Sequence, residues 1–299
     1  VLVAAGFGAV LALVPATRDR ARGGYDWRGT IALGTAAIGL LTALTLVVQL
    51  GWSSPVTATL LAVAIVAAVA WGLLEAKVSD PLIDIHALLA APVLRANVAA
   101  IGLGWALFGS YLLVPRFALA SPGSSHYGLG ASTAQIGLLM LPLAFGQAAA
   151  GPLAGRISRR LGPRAVAAGG LVLLAAALGW LSVIRSGVPQ IAVAMLVLGA
   201  GAGAGLQSSS AVATQGVSTD VAAASSALNS TVRRFAGGIG GQVCTILLAS
   251  YPVITTTNPR FAAFTVAYLI AAGLCGMGAL LTVGWRRSRD ARGGTAPAK

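Results

Sequence analysis

Apolar positions along this chain come in long unbroken runs. Eight of them lie at 29–50, 56–74, 96–118, 131–154, 165–184, 188–208, 233–250 and 261–284. A shorter run, VLVAAGFGAVLALV, fills 1–14. A helix rises 1.5 Å per residue, so a hydrocarbon core about 30 Å thick takes roughly 20 apolar residues. The runs match that length, and none of the eight contains Asp or Glu. They are continuous and not alternating, which predicts helices and excludes the strands of an outer-membrane barrel. The run at 233–250 is the weakest, short and rich in glycine, and its helix is expected to begin upstream near Ala224. The first run has no basic segment before it and no small-residue cleavage site, so it is not a signal peptide. It reads as the end of a longer span. The predicted fold class is therefore an all-α membrane protein with about eight full transmembrane helices and one partial N-terminal helix.

The polar segments divide the chain. A basic loop covers 15–28. The hairpin 29–74 turns through Gly51-Trp52-Ser53-Ser54-Pro55. Residues 75–95, EAKVSDPLIDIHALLAAPVLR, form a linker. Asp80-Pro81 and the pattern Leu82, Ile83, Ile85, Leu88, Leu89 predict a short amphipathic helix on the membrane surface there. A bundle of six closely spaced spans occupies 96–284, and a basic tail occupies 285–299. Pro115, Pro142 and Pro152 are expected to bend the first two bundle helices. Gly201 and Gly205 form a small-xxx-small pair, and Gly237 to Gly241 repeats the device, so both segments should pack closely on neighbours.

Composition sharpens this picture. The chain of 299 residues is 57% hydrophobic and 9% charged, against about 25% charged in soluble domains. Mean hydropathy is +0.86. A soluble enzyme and a disordered chain are excluded. The net charge of +13 comes from 20 basic against 7 acidic residues, a balance that in a soluble protein suggests nucleic acid. Placement decides otherwise. Seventeen basic residues fall in the alternate loops 15–28, 75–95, 155–164, 209–234 and 285–299; only Arg116, Arg185 and Arg260 fall in the others. That asymmetry puts the first set, and the C-terminus, in the cytoplasm. All seven acids, Asp19, Asp26, Glu75, Asp80, Asp84, Asp220 and Asp290, lie in the same set. The charge thus reports topology and not nucleic acid. For the tail segment WRRSRDAR, contact with anionic lipid is the sharper alternative.

Little chemistry of catalysis is present. There is no G-x-x-x-x-G-K-[ST] loop, no Ser/His/Asp constellation and no metal-ligand cluster, so neither an enzyme nor a cofactor is predicted. Cys244 and Cys275 lie within apolar runs and read as packing residues. His86 and His126 fall in loops on opposite sides. What the spans do hold is uncharged and aromatic: Asn97, Trp105, Phe108 and Tyr111, then Gln135, Phe145 and Gln147, then Gln207, with Asn229 and Gln242 flanking the next span. The spacing of Asn97, Phe108 and Tyr111 allows a common face. Amides in hydrocarbon need partners, so these residues face other helices or a cavity. Aromatic faces in a cavity suit lipophilic cations.

Several segments carry a family likeness. They are Tyr25-Asp26-Trp27-Arg28-Gly29 before the hairpin, Pro81-Leu82-Ile83-Asp84 before the bundle, and YGLGASTAQIGLLMLPLAFGQ at 127–147. GRISRRLGPR at 155–164 and SSALNSTVRRFAGGIGG at 225–241 complete the set. In this order they resemble the major facilitator superfamily, and more closely its fourteen-span drug:proton antiporters. The resemblance implies a map: the end of span six, an extra helix pair, and the second six-helix bundle. It implies a gating loop at Gly155, Arg156, Arg159, Arg160, Gly162 and Arg164, with Arg159 standing where the family usually carries Asp. Substrate would lie between two rocking bundles. The expected function is the C-terminal part of a secondary transporter in a bacterial cell membrane, exporting drugs or other small lipophilic compounds. Its partners would be the bilayer, that substrate, and protons whose carrier acid sits in an N-terminal bundle. The alternatives are an inactive truncated or split-gene subunit needing a separate N-terminal half, or a transporter of another small solute.

Overall fold

The computed structural model describes residues 26–77, 91–213, 219–251 and 259–290. The partial span 1–14, most of the basic loop, the linker's amphipathic helix with His86, and the tail beyond Asp290 lie outside them. The described residues form nine helices: α1 Trp27–Leu50, α2 Pro55–Glu75, α3 Ala91–Leu119, the short α4 Pro122–Ser125, α5 Thr133–Leu161, α6 Pro163–Leu181, α7 Val188–Ala213, α8 Thr219–Ser250 and α9 Phe261–Asp290. Seven of them (α1, α2, α3, α5, α6, α7 and α9) are long and apolar enough to cross a membrane.

Local sequence sets the ends. Asp26 caps α1 by accepting a 2.9 Å hydrogen bond from the Gly29 amide. α2 begins at Pro55, whose missing amide hydrogen costs nothing in a first turn. Ser132 and Gln135 form a reciprocal capping box at the start of α5. Gly162, at φ +83°, is the sole residue between α5 and Pro163 of α6.

Several boundaries differ from the sequence expectation: α3 begins at Ala91, α7 runs to Ala213 and α9 to Asp290, each about five or six residues beyond its predicted run. α5 runs to Leu161, two turns past 154, so most of the arginine motif is the last part of a helix and not a loop. Its arginines satisfy helix propensity and complement the carboxyl end of the dipole. α8 begins at Thr219, ahead of Ala224, and its polar first half joins the glycine-rich run in one helix of 32 residues. That polar half keeps α8 outside the apolar set.

Packing arranges the helices as an arc. α5 packs on α7, α7 on α6, α6 on α9, α9 on α3 and α3 on α8; α8 touches α1, which pairs with α2. The main apolar core is drawn from α3, α5, α6, α7, α8 and α9. The α1–α2 hairpin is attached at the margin. Glu75, at the end of α2, is only 3% exposed. Its carboxylate lies against Gly29, beside Asp26. One predicted loop residue is therefore folded into the hairpin.

α7 is central because its glycines work on two faces. A methyl at Gly199 or Gly203 would strike the Leu143 or Gln147 carbonyl of α5. A methyl at Gly201 would lie 2.7 Å from the Gly170 carbonyl of α6, and one at Gly170 would lie 2.9 Å from the Gly205 amide. Residues two apart on a helix point to nearly opposite sides. The alternation GAGAGAG thus lets two neighbours approach α7 backbone to backbone.

Candidate functional site: the α3–α8 face and the arginine-rich end

Asn97 and Asn229 come together, but inside the packing. They are 5% and 1% exposed. Asn229 Nδ2 donates to the Ala96 carbonyl at 3.2 Å and to Asn97 Oδ1 at 3.4 Å. Ser209 Oγ donates to Asn229 Oδ1 at 2.6 Å. One amide therefore ties α8 to α3 and α7. Asn97 Nδ2 remains buried with no hydrogen-bond partner among the described residues.

Further along the same side of α3, the aromatics meet the glycines of α8. A methyl at Gly240 would lie 2.8 Å from the Trp105 ring, and one at Gly237 would strike the Phe108 ring. Gly241, paired with Gly237 by spacing, has nothing within 4 Å; the close approach belongs to Gly240. Phe108 and Tyr111 are 43% and 45% exposed. Their rings meet edge to face, 6.4 Å apart at 68°. The expected common face of Asn97, Phe108 and Tyr111 is thus the face turned to α8, covered at Asn97 and open at the two rings. Such a pair offers π-faces to a cation or an apolar ring.

The remaining candidates scatter. Phe145 is exposed on α5 and has no ring partner among the described residues. Gln135 is engaged in the α5 cap through its Oε1, which accepts from the Ser132 amide at 2.8 Å. It also borders a largely apolar groove of about 440 Å³ with Leu138, Pro142 and Val188. Gln147 is half-buried where its backbone meets Gly203, and Gln242 is half-buried on α8. Gln207 faces away from Ser209. It lines an open cleft with Gly155, Arg156 and Arg159, so the structure joins it to the arginine motif and not to the amide cluster. Arg160 is exposed, and Arg164 is in the first turn of α6.

The arginine-poor end holds a cluster that single-residue reading missed. Phe117, Tyr127, Phe261 and Phe264 stack with centroids 5.4 to 6.4 Å apart. The Tyr127 hydroxyl donates to the Pro259 carbonyl at 2.6 Å, and the Gly128 amide donates to the Arg185 carbonyl at 2.9 Å. The Arg185 guanidinium lies 4.8 Å from the centre of the Phe261 ring. Three connections are thereby stapled into one plug. Burial pushes the Tyr127 phenol above its ordinary range, and Arg116 offsets part of that. Single aromatics in separate loops gave no spacing signal for this convergence. Both cysteines are free and buried, and Cys275 Sγ donates to the Gly102 carbonyl at 3.3 Å.

A helical bundle with seven membrane-length spans among its described residues, tied by glycine contacts and buried amides, defines a multi-pass membrane protein. Residues 116–299 match the Major Facilitator Superfamily. The chain belongs to that family, a class of membrane transporters and not of enzymes. It is 30% identical over 176 residues to a multidrug resistance protein B homolog of Mycobacterium tuberculosis, covering 58% of this chain and 31% of that protein. It is 24% identical over 240 residues to the tetracenomycin C resistance and export protein of Streptomyces glaucescens, covering 80% and 43%. It is 27% identical over 287 residues to a puromycin resistance protein of Streptomyces alboniger, covering 88% and 55%. The chain thus spans about a third to a half of the length of these curated relatives.

Proposed function

We propose that this chain forms the C-terminal bundle and hairpin of a proton-coupled exporter of small lipophilic compounds, working by alternating access in a bacterial cell membrane. The observation that carries the reading is its likeness to three resistance proteins, one of them named for export. The geometry adds a surface suited to such cargo, the exposed Phe108–Tyr111 pair beside the glycines of α8.

The bundle contributes walls, packing and gates. Among its described helices the acids are Asp220 and Asp290, both at helix ends. A proton carrier must change its protonation with the state of the transporter. We assign that acid to a first bundle, supplied by a longer form of the chain or by a second polypeptide. The skew of 17 to 3 basic residues supports a cytoplasmic C-terminus.

The experiment is a drug-susceptibility panel on bacterial cells expressing the complete reading frame that contains this chain. Resistance to at least one lipophilic compound should rise. Phe108→Ala with Tyr111→Ala should lower that resistance about two- to fivefold, the worth of one exposed cation–π contact. A panel with no change at normal membrane expression would refute the reading.

A further inference from the structure

The cleft between α5 and α7 does not include the Phe108–Tyr111 surface proposed for cargo. Its lining is Gly151, Pro152, Gly155, Arg156 and Arg159 of α5 with Gln207 of α7, and it encloses about 570 Å³. Nearer the middle of the two helices their backbones touch, at Gly199 and Gly203. At this end Gly151 and Gly155 leave space that Gln207 only borders; a methyl at Gly155 would sit 3.8 Å from Gln207 Nε2.

Charge in the cleft is one-sided. Arg156 and Arg159 are three residues apart, hence neighbours on the helix surface. Both are exposed, and neither has an ion pair or hydrogen bond among the described residues. Among the described residues, no acid lines the cleft. The carboxyl end of α5 offers about half a negative charge, too little to balance two guanidinium groups and Arg160 beside them. Two forks with a neutral amide opposite match the oxygens of a phosphate. Leu153, Ile157 and Leu161 are exposed at four-residue spacing on a neighbouring side of α5, outside the cleft.

We infer that this cleft binds one phosphate group, held by Arg156, Arg159 and Gln207, and that an anionic phospholipid supplies it. Basic pockets between membrane helices on the cytoplasmic side hold anionic headgroups in this way. The site is independent of the cargo proposed above.

Native mass spectrometry of the full chain in detergent, titrated with phosphatidylglycerol, phosphatidylcholine or inorganic phosphate, tests it. Phosphatidylglycerol should bind at least about tenfold more tightly than phosphatidylcholine. Arg156→Gln with Arg159→Gln should weaken it about thirtyfold, since each arginine at a membrane surface contributes roughly a factor of five. Gly155→Leu keeps both charges but fills the cleft, and should also weaken binding. Arg116→Gln with Arg260→Gln removes two charges at the other end and should change little. Inorganic phosphate binding as tightly, with the same dependence on Arg156 and Arg159, would uphold the phosphate site and assign it to a soluble anion. Unchanged phosphatidylglycerol affinity in both cleft variants, or equal affinity for phosphatidylcholine, would overturn the inference.

Discussion

Asn229 holds three helices through one side chain, because Ser209, Asn97 and the Ala96 carbonyl all converge on its amide. Hydrogen bonds between membrane helices average about 0.6 kcal/mol, with a maximum near 1.7. Asn229→Ala should therefore lower thermal stability in detergent by about 1–2 kcal/mol, while Asn229→Asp should retain the bond from Ser209. Tyr127 is the matching residue at the other end. Tyr127→Phe leaves the Pro259 carbonyl without its donor and should cost about 1 kcal/mol. The pH dependence follows from the raised phenol. A group that holds its proton more tightly when folded contributes its stability below its ordinary value near 10 and loses it as pH rises through the folded value. Stability should be flat through neutral pH with respect to Tyr127, fall in strong alkali, and lose that alkaline fall in Tyr127→Phe. The amides were legible from the sequence as groups that need partners. Their choice of partner was not, since Asn97 and Asn229 are 132 residues apart.

At the scale of elements, glycine placement is the testable feature. Gly203→Ala would force α7 off the Gln147 carbonyl of α5, and overpacking of this kind costs roughly 1–3 kcal/mol. Gly241→Ala meets open space and should be neutral or stabilising by up to about 1 kcal/mol. Unfolding midpoints of the two variants compare a packing glycine with an idle one on the same method. The helices themselves were visible as apolar runs, because a membrane span needs only length and hydrophobicity. Their ends were less visible. α5 extends through GRISRRL because arginine and leucine are good helix formers, and α8, expected from near Ala224, starts about one turn earlier at Thr219. The spacing of Gly201 and Gly205 identified one face of α7; the offset pair Gly199 and Gly203 on the other face needed the structure.

For the whole molecule, the described helices from α5 to α8 pack into a bundle with the hairpin at its margin, and the chain belongs to a transporter family whose matched relatives are longer chains. The fold class was readable from hydropathy and motif order. The aromatic surface was readable in part: Phe108 and Tyr111 share a side, whereas Phe145, Gln135 and Gln207 belong elsewhere, because the turn of each helix against its neighbours is set by glycine contacts and not by hydropathy. Export coupled to protons can be measured in everted membrane vesicles carrying the complete reading frame. A fluorescent lipophilic cation should accumulate in them only while the lumen is acidified. It should leave when the gradient is collapsed, and Phe108→Ala with Tyr111→Ala should reduce the uptake. Uptake that persists without a proton gradient, or none at all with correctly inserted protein, would rule out proton-coupled export by this protein.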